Sequence, residues 1–341
     1  MRVTVIFSTT GHISSLGFVD DEIWSLAHTV ENIKSGVPIM HKHSKTDGIR
    51  IDQPVFLIAN GPSLDQYADY LKENRSKAIY ISCGTAIGTL RRMGIKPDIH
   101  LEMERRKLKA EWLEASTDED YRKGIAFIGL NTLHPDIFTL FDKSYMVFKP
   151  NDLGTHFGSR FIKENKSLVS LALCNPMVGN MGLAIVGALG AQDAYIFGLD
   201  MAYSESGQHH AKQSDYYKLK EDESDKGIPK DANISMKGNF RDEVKTNPLF
   251  LLSSRVANAC LRGFQSVTRY HNTSDGVLIE GAEPTPLASL PTSLPEVQVD
   301  INTTLSACFS NDHLETEGLE GYLQHNILLA EAFLHKVEAL Y

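Results

Sequence analysis

Cysteine is scarce in this sequence. The four residues Cys83, Cys174, Cys260 and Cys308 lie far apart with no Cys-x-x-Cys spacing, which leaves little support for a disulfide framework or a zinc site. They are expected to be reduced and mostly buried. Long hydrophobic runs are also lacking: nothing approaches the roughly 18 apolar residues of a membrane span, and MRVTVIFSTTGHI has too short an apolar stretch and too much polar punctuation for a signal peptide. A cytoplasmic protein without a membrane span is expected. Positive charge is in deficit, with 34 Lys and Arg against 43 Asp and Glu and a net charge of −9, which opposes non-specific attraction to nucleic acid or anionic membranes. An anionic ligand must therefore be held by local groups.

The 341 residues, 42% hydrophobic and 23% charged, can bury a large core and fit one long or two ordinary domains. Residues 1–50 read as a short alternating strand (Val3, Val5, Phe7) and a helix with Ile23, Leu26, Ala27, Val30 and Ile33 on one face, packing on the main domain. From Pro54 the pattern becomes VFLIAN, AIYISCG, PDIHLEME, IAFIGLN, YMVFK, LVSLALC and AYIFGLD, separated by helical stretches. Continuous apolar strands alternating with helices predict an α/β fold, Rossmann-like, with a mainly parallel sheet and helices on both faces. Ligands in such folds bind outside the carboxyl ends of the strands. Lys212 to Lys245 is polar and charged and reads as a long excursion or lid. NPLFLLSSRVANACLRGF then has helical periodicity, and SVTRYHNTS reads as a last strand. Residues 291–341 hold a Pro-rich linker and an amphipathic C-terminal helix, whose apolar stripe packs on its own subunit or forms a homo-oligomer seam.

The strand-to-helix turns carry the candidate chemistry. After VFLIA come Asn60, Gly61, Pro62 and Ser63. Gly61 removes a side chain at the turn, Pro62 fixes φ, and Ser63 with Gln66 has the form of a capping box. The helix-start N–H groups then suit a phosphate or carboxylate, although the same residues also make an ordinary tight turn. The turn is neither a G-x-G-x-x-G fingerprint nor a Walker A loop. A second strand ends at Ser82, with Gly84 and Thr85 opening the next helix. Asp98, His100, Glu102 and Glu104 follow at period two on one strand face, either an acidic site near the wet carboxyl end or a solvated edge strand. Asn131 and Thr132 end another strand and suit sugar or base hydroxyls. Gly179, Asn180 and Gly182 open a Gly-rich helix able to pack closely, and Asp200 ends the strand after it. His209 and His210 lie just beyond, either a general base or a surface pair. Without a Gly-x-Ser-x-Gly elbow or a His-Glu-x-x-His motif, serine hydrolase and zincin chemistry fall away.

In order, IANGPSLD, GTAIGTLRRMGIKPDIHLEME, GNMGLAIVGALGAQDAYIFGLDMAYSESGQHHA and GVLIEGAEPTPL resemble the DUF115 or MptE-like domain of the motility-associated factor (Maf) flagellin glycosyltransferases, over residues 51–290. That family is understood to move nonulosonic acids from a CMP-activated donor to Ser or Thr of flagellin. Its domain is similar to small bacterial sialyltransferases, whose loop reads Gly-Asn-Gly-Pro-Ser; Ala59 stands here for the first glycine. The resemblance implies that Asn60, Gly61 and Ser63 hold cytidine and phosphate beside Gly84 and Thr85, with Gly179, Asn180 and Gly182 as the second glycine-rich part. Asp200 and His209 or His210 match its G-x-D…H pattern, and Tyr203, Tyr216 and Tyr217 are candidate contacts. The implied partners are a nucleotide sugar and a protein acceptor such as flagellin. An archaeal branch moves diphosphate from ATP to a hydroxymethylpterin and uses magnesium, for which Glu102, Glu104 or Asp200 would serve. Magnesium is not expected to be essential for the first activity. A nucleotide-binding module without catalysis is the third reading.

Overall fold

The run Val55–Ile58 offers no polar face to water, and it is met by protein on every side. In a computed structural model that describes residues 4–9, 12–41, 48, 50–163, 166, 168–219 and 232–338, these four residues form a fully buried strand at the centre of a ten-stranded sheet. In chain order the strands are β1 (Thr4–Thr9), β2 (His12–Phe18), β3 (Ile39–Met40), β4 (Val55–Ile58), β5 (Ile79–Cys83), β6 (Ile99–Glu102) and β7 (Ala126–Leu130). They continue with β8 (Lys143–Val147), β9 (Asp193–Phe197), β10 (Ile234–Met236), β11 (Val244–Thr246), β12 (Arg269–Asn272), β13 (Ala282–Pro284) and β14 (Phe309–Ser310). The main helices are α1 (Val19–Lys34), α2 (Ala86–Arg92), α3 (Leu108–Ser116), α4 (Val178–Ala188), α5 (Pro248–Phe264), α6 (Ile301–Cys308) and α7 (Leu319–Glu338).

The sheet runs β13-β12-β9-β4-β5-β6-β7-β8-β3-β14. Every neighbouring pair is parallel except β3 with β14 at the edge. This is the α/β, Rossmann-like parallel sheet expected from the alternation of apolar runs and helices. From β4 the chain steps outward through β5, β6, β7 and β8, then returns to place β9 on the other side of β4. Residues 1–50 and 291–341 each add a strand to this sheet, β3 and β14.

Period two divides the core. Val55, Leu57, Ile79, Ile81, Ile99 and Leu101 face one side, where α4 covers them with Met181, Leu183 and Ile185. Phe56, Ile58 and Tyr80 face the other, against Leu64, Tyr67, Leu71 and Leu90. The four cysteines are free and buried.

Four expectations are corrected. LVSLALC at 168–174 is not a strand; it makes a single bridge, Phe148 with Ser170, and Leu173 has φ +62°. The N-terminal segment is an antiparallel hairpin, β1 with β2, rather than one strand, and Val3 lies outside the described residues. On α1, Ile23 and Ala27 are exposed, and the buried face is Ser25, Thr29, Val30, Asn32 and Ile33. That helix sits over the carbonyl-rich end of β7, where Asn32 donates to the carbonyls of Asn131 (3.0 Å) and Leu133 (2.9 Å), so donors are needed as well as apolar groups. Finally, the polar excursion holds structure of its own, the hairpin β10–β11; its residues 220–231 lie outside those described.

The C-terminal helix α7 packs through its first turns, with Leu319 buried and Tyr322 against Phe157 and Phe161 at 5.6 and 5.8 Å between ring centroids. Farther along, Ile327, Leu328 and Leu329 are each more than half exposed. Among the described residues, no helix is long and apolar enough to cross a membrane.

Helix α4 can approach the sheet because Gly182 has no side chain: a Cβ there would lie 2.6 Å from Leu57 Cδ1 and 2.8 Å from Cys83 Sγ. Gly182→Ala is therefore expected to cost about 1–3 kcal/mol by overpacking. Gly263→Ala, whose new Cβ on α5 would meet nothing within 4 Å, should stabilise by about 0.5 kcal/mol. Urea unfolding of the two variants checks the contrast.

Candidate functional site

β4 lies between β5 and β9, so the sheet changes winding direction at the β4–β9 pair, the place where open α/β sheets bind ligands. At this switch point β4 runs into Asn60–Ser63 and β9 into Gly198–Asp200. The two turns are joined by their backbones: Ala59 N–H donates to Phe197 O (2.9 Å) and Gly61 N–H to Gly198 O (2.7 Å).

Asp200 is wedged between them. A Cβ on Gly61 would collide with the Asp200 carboxylate, and one on Gly276 would collide with the Asp200 backbone. Both positions therefore require glycine. Asp200 Oδ2 accepts the Ser63 N–H at 3.3 Å, and Val277 N–H donates to Asp200 O at 2.8 Å. The residue is 5% exposed. Burial pushes its pKa up to about 6 and the charge of Asp275 adds to this, while the Ser63 hydrogen bonds and Arg241 pull the other way.

Above the carboxylate opens a cleft of about 310 Å³, lined among others by Ser63, Tyr203, Gln208, Lys212, Arg241 and Asp275. Arg241 donates from Nε to Asp275 Oδ1 (3.0 Å) and from Nη2 to Asp275 O (2.8 Å). The Lys212 backbone N–H is held by the Asp65 carboxylate at 3.3 and 3.1 Å. The cleft thus combines a buried acid with two cations and several hydroxyl and amide groups.

Each turn expected from sequence has a definite place. Pro62–Tyr67 is a 3₁₀ turn with Gly61 at its cap position and no side-chain cap bond, so Ser63 and Gln66 form no capping box. The N–H groups of Gly61 and Ser63 do not point outward either; Gly198 O and Asp200 Oδ2 take them. Asp200 supplies the capping acceptor from the neighbouring strand. Asn60 is saturated: its Nδ2 donates to Thr85 Oγ1 and Ser214 Oγ, both at 2.8 Å, and its Oδ1 accepts from Thr89 Oγ1 at 2.8 Å. Its carbonyl accepts the Ala211 N–H at 2.8 Å. Asn60 thereby binds the β4 turn to α2, beginning after Gly84 and Thr85, and to the segment after His210.

His209 and His210 are not among the residues that line the cleft. His210 Nδ1 is 3.3 Å from Asn60 O, and the ring of His209 lies among Tyr203 (5.7 Å), His210 (4.6 Å) and Tyr216 (5.0 Å). The Tyr217 hydroxyl accepts the backbone N–H groups of His209 and His210, at 3.1 and 3.0 Å.

Other candidates are held by protein. Asn180 Oδ1 accepts from Ser253 Oγ (2.7 Å) and Met177 N (3.2 Å), and its Nδ2 donates to Ser253 O (2.9 Å), pinning α4 to α5. A Cβ on Gly179 would strike Leu199, so it serves packing as Gly182 does. Asn131 Oδ1 accepts the Lys149 N–H (2.8 Å), its Nδ2 donates to Thr29 Oγ1 (2.8 Å), and the carbonyl of Thr132 faces His28 Nδ1 (3.0 Å). This pair ends β7, three strands from β4.

The acidic row is not an edge strand, for β6 lies between β5 and β7. Glu102 is buried and pairs with Lys109 Nζ at 2.7 Å. Burial alone would raise its pKa, but Lys109 and His100 bring it below the ordinary value. Ser82 Oγ is 2.9 Å from His100 Nδ1, and burial lowers the pKa of that imidazole to about 4. Glu104 lies beyond the strand and is exposed. The row therefore splits into a buried ion pair and a solvated carboxylate.

Arg241 and Asp275 escaped the sequence reading, and Gln66, expected there as a cap partner of Ser63, instead lines the cleft. Asp275 could have been found, since it follows β12 at the same carboxyl edge that singled out Asp200.

The family model described as 6-hydroxymethylpterin diphosphokinase MptE-like matches residues 26–206, more than half of the chain. The chain belongs to the MptE-like family. This MptE-like chain is also similar to the solved structure of a Maf glycosyltransferase from Magnetospirillum magneticum AMB-1, with a TM-score of 0.67 and 24% identity over 86% of this chain and 43% of that one. The two share a fold, and the MptE-like chain spans less than half the length of the Maf protein. No curated protein matches it. The switch-point turns Asn60–Ser63 and Gly198–Asp200 both lie inside the family match.

The raised acid gives a prediction with a definite sign. Between the ordinary 3.8 and about 6, folded Asp200 holds a proton that the unfolded chain releases, so its contribution to stability falls as pH rises through that window. The penalty is complete above it, on the order of 2–3 kcal/mol. Asp200→Asn, which keeps an oxygen acceptor for Ser63 N–H, should be more stable than the parent at pH 7.5 by about this amount, and equal to it near pH 4. Urea midpoints at the two pH values test this; a difference independent of pH would contradict the assignment.

Proposed function

We propose that the protein is a transferase of the Maf glycosyltransferase kind, moving an acidic, nonulosonic sugar from a CMP-activated donor to a hydroxyl of a protein or glycan, flagellin among the candidate acceptors. One observation carries the reading: a buried carboxylate with its pKa raised to about 6 opens into a cleft that also presents Lys212 and Arg241. A general base works best near the operating pH, and cations beside hydroxyl donors suit a ligand that is anionic and polyhydroxylated.

In this mechanism Asp200 accepts the proton of the acceptor hydroxyl as its oxygen attacks. Ser63, Lys212 and Arg241 hold the donor's phosphate and carboxylate and stabilise the charge on the leaving CMP. His209 and His210 brace the Asn60 turn from behind. The fold shared with a Maf glycosyltransferase supports the same reading.

A diphosphokinase is the second reading, favoured by the family description and by one feature of the site. Asp200 and Asp275 are acids whose charges repel, and a cation would relieve that repulsion. Among the described residues no three His, Cys, Asp or Glu side chains converge as a metal cluster. Magnesium, however, commonly takes only one or two carboxylates together with substrate phosphates, and Asp200 with Asp275 would hold it there. It would neutralise phosphate charge.

Release of CMP from a CMP-nonulosonate, followed against pH with and without EDTA, separates the readings. The transferase should keep its rate in EDTA and show an acid limb near pH 6. Asp200→Asn should lower turnover by roughly 10²–10⁴-fold with little loss of CMP affinity. Loss confined to a His209→Ala/His210→Ala double variant would move the base to the histidines. Magnesium-dependent binding of ATP with no binding of CMP would favour the diphosphokinase, and nucleotide binding without turnover of either donor would leave the non-catalytic nucleotide-binding module.

A further inference from the structure

Beside the cleft lies a second hollow of about 370 Å³ that shares Gln66, Arg241 and Asp275 with it. The two hollows differ in chemistry. Around Asp200 the walls are hydroxyls, amides and charges, whereas the second adds Phe240, which is 38% exposed, and Leu287, 44% exposed. Two large apolar side chains lining one hollow that adjoins a polar cleft suit a ligand with an apolar face.

Phe240 is not on a loose loop. Asn239 N–H donates to Gly276 O (2.8 Å), and its Nδ2 donates to the carbonyls of Asn272 and Ser274, both at 3.0 Å. Leu278 N–H donates to Lys237 O at 2.9 Å. On the other side Arg241 is clamped by Asp275, so the aromatic ring stands between two fixed residues. The backbone that carries the ring is thus already in place, which lowers the cost of binding against it. Gln66, exposed at the shared rim, carries an amide able both to donate and to accept.

We propose that this second hollow seats a planar nitrogen heterocycle of the ligand, stacked on Phe240 and flanked by Leu287, with the Gln66 amide reading the ring edge. The proposal rests on the transferase reading of the adjoining cleft. It makes the Arg241–Asp275 pair the partition between the ring and the group that reacts over Asp200. Cytosine, adenine and a pterin share the required chemistry, and they are the sources to be told apart.

Isothermal titration of the full chain with cytidine, adenosine, 6-hydroxymethylpterin and ribose 5-phosphate tests it. The variants are Phe240→Ala and Phe240→Tyr, both at an exposed side chain, with thermal unfolding to check that each is folded. Whichever heterocycle the parent binds should bind about 5- to 100-fold more weakly to Phe240→Ala, the range expected for loss of one stacked base. Phe240→Tyr should restore the affinity, and ribose 5-phosphate should bind all three proteins alike. A heterocycle that binds the parent and Phe240→Ala equally well overturns this inference while leaving the transferase reading standing. Equal weakening of ribose 5-phosphate and heterocycle in Phe240→Ala overturns it as well, since the phenyl ring would then support the cleft as a whole.

Discussion

A single carboxylate pressed against backbone organises the switch point. Asp200 lies where Gly61 and Gly276 leave no room for a β-carbon, and it caps the Pro62–Tyr67 turn from the strand next door. Burying an acid costs more than its Ser63 hydrogen bonds and Arg241 offset, and the raised pKa reflects that cost. The surrounding fold sustains it with two apolar cores and a fully buried central strand.

Asn60 does for the neighbouring elements what Asp200 does for the turn. Its amide joins Thr85, Thr89 and Ser214, three residues from two separate segments, and its carbonyl reaches a fourth, Ala211, on the second of them. Arg92 continues this seam by pairing with Asp215 at 2.5 Å. The segment carrying His209 and His210 is thus tied to α2 by the Asn60 hydrogen bonds and the Arg92–Asp215 pair.

The parallel sheet was legible because its strands are buried on both faces, and a short run such as VFLI with no polar position fits a strand covered from both sides better than a half-solvated one. The switch-point turns were legible too, through Gly61, Pro62 and Asp200. Polar residues at other strand ends were harder. Asn131, Asn180 and Glu102 have the right type and place for a ligand, yet each meets a protein partner, and sequence cannot tell one partner from the other. Arg241 was hidden for another reason: bridges such as those of Asn239 to the β12 loop hold its segment beside Asp275, and no local pattern announces a contact across so many residues. Capping signals misled at Ser63 because the acceptor comes from Asp200, far along the chain.

The sheet order also dictates a sequence of assembly. β4 through β8 are consecutive in the chain and adjacent in space, so they can pair through local crossovers as the polypeptide emerges. β9 must instead find β4 across all four of those strands, and β12 must then find β9; contacts of such long range form slowly. The cleft has one wall from each group. A nascent or partly unfolded chain can therefore possess the Asn60–Ser63 turn while lacking Asp200, and the apolar flank of β4 stays open until β9 arrives. That flank is where premature association with another chain would begin.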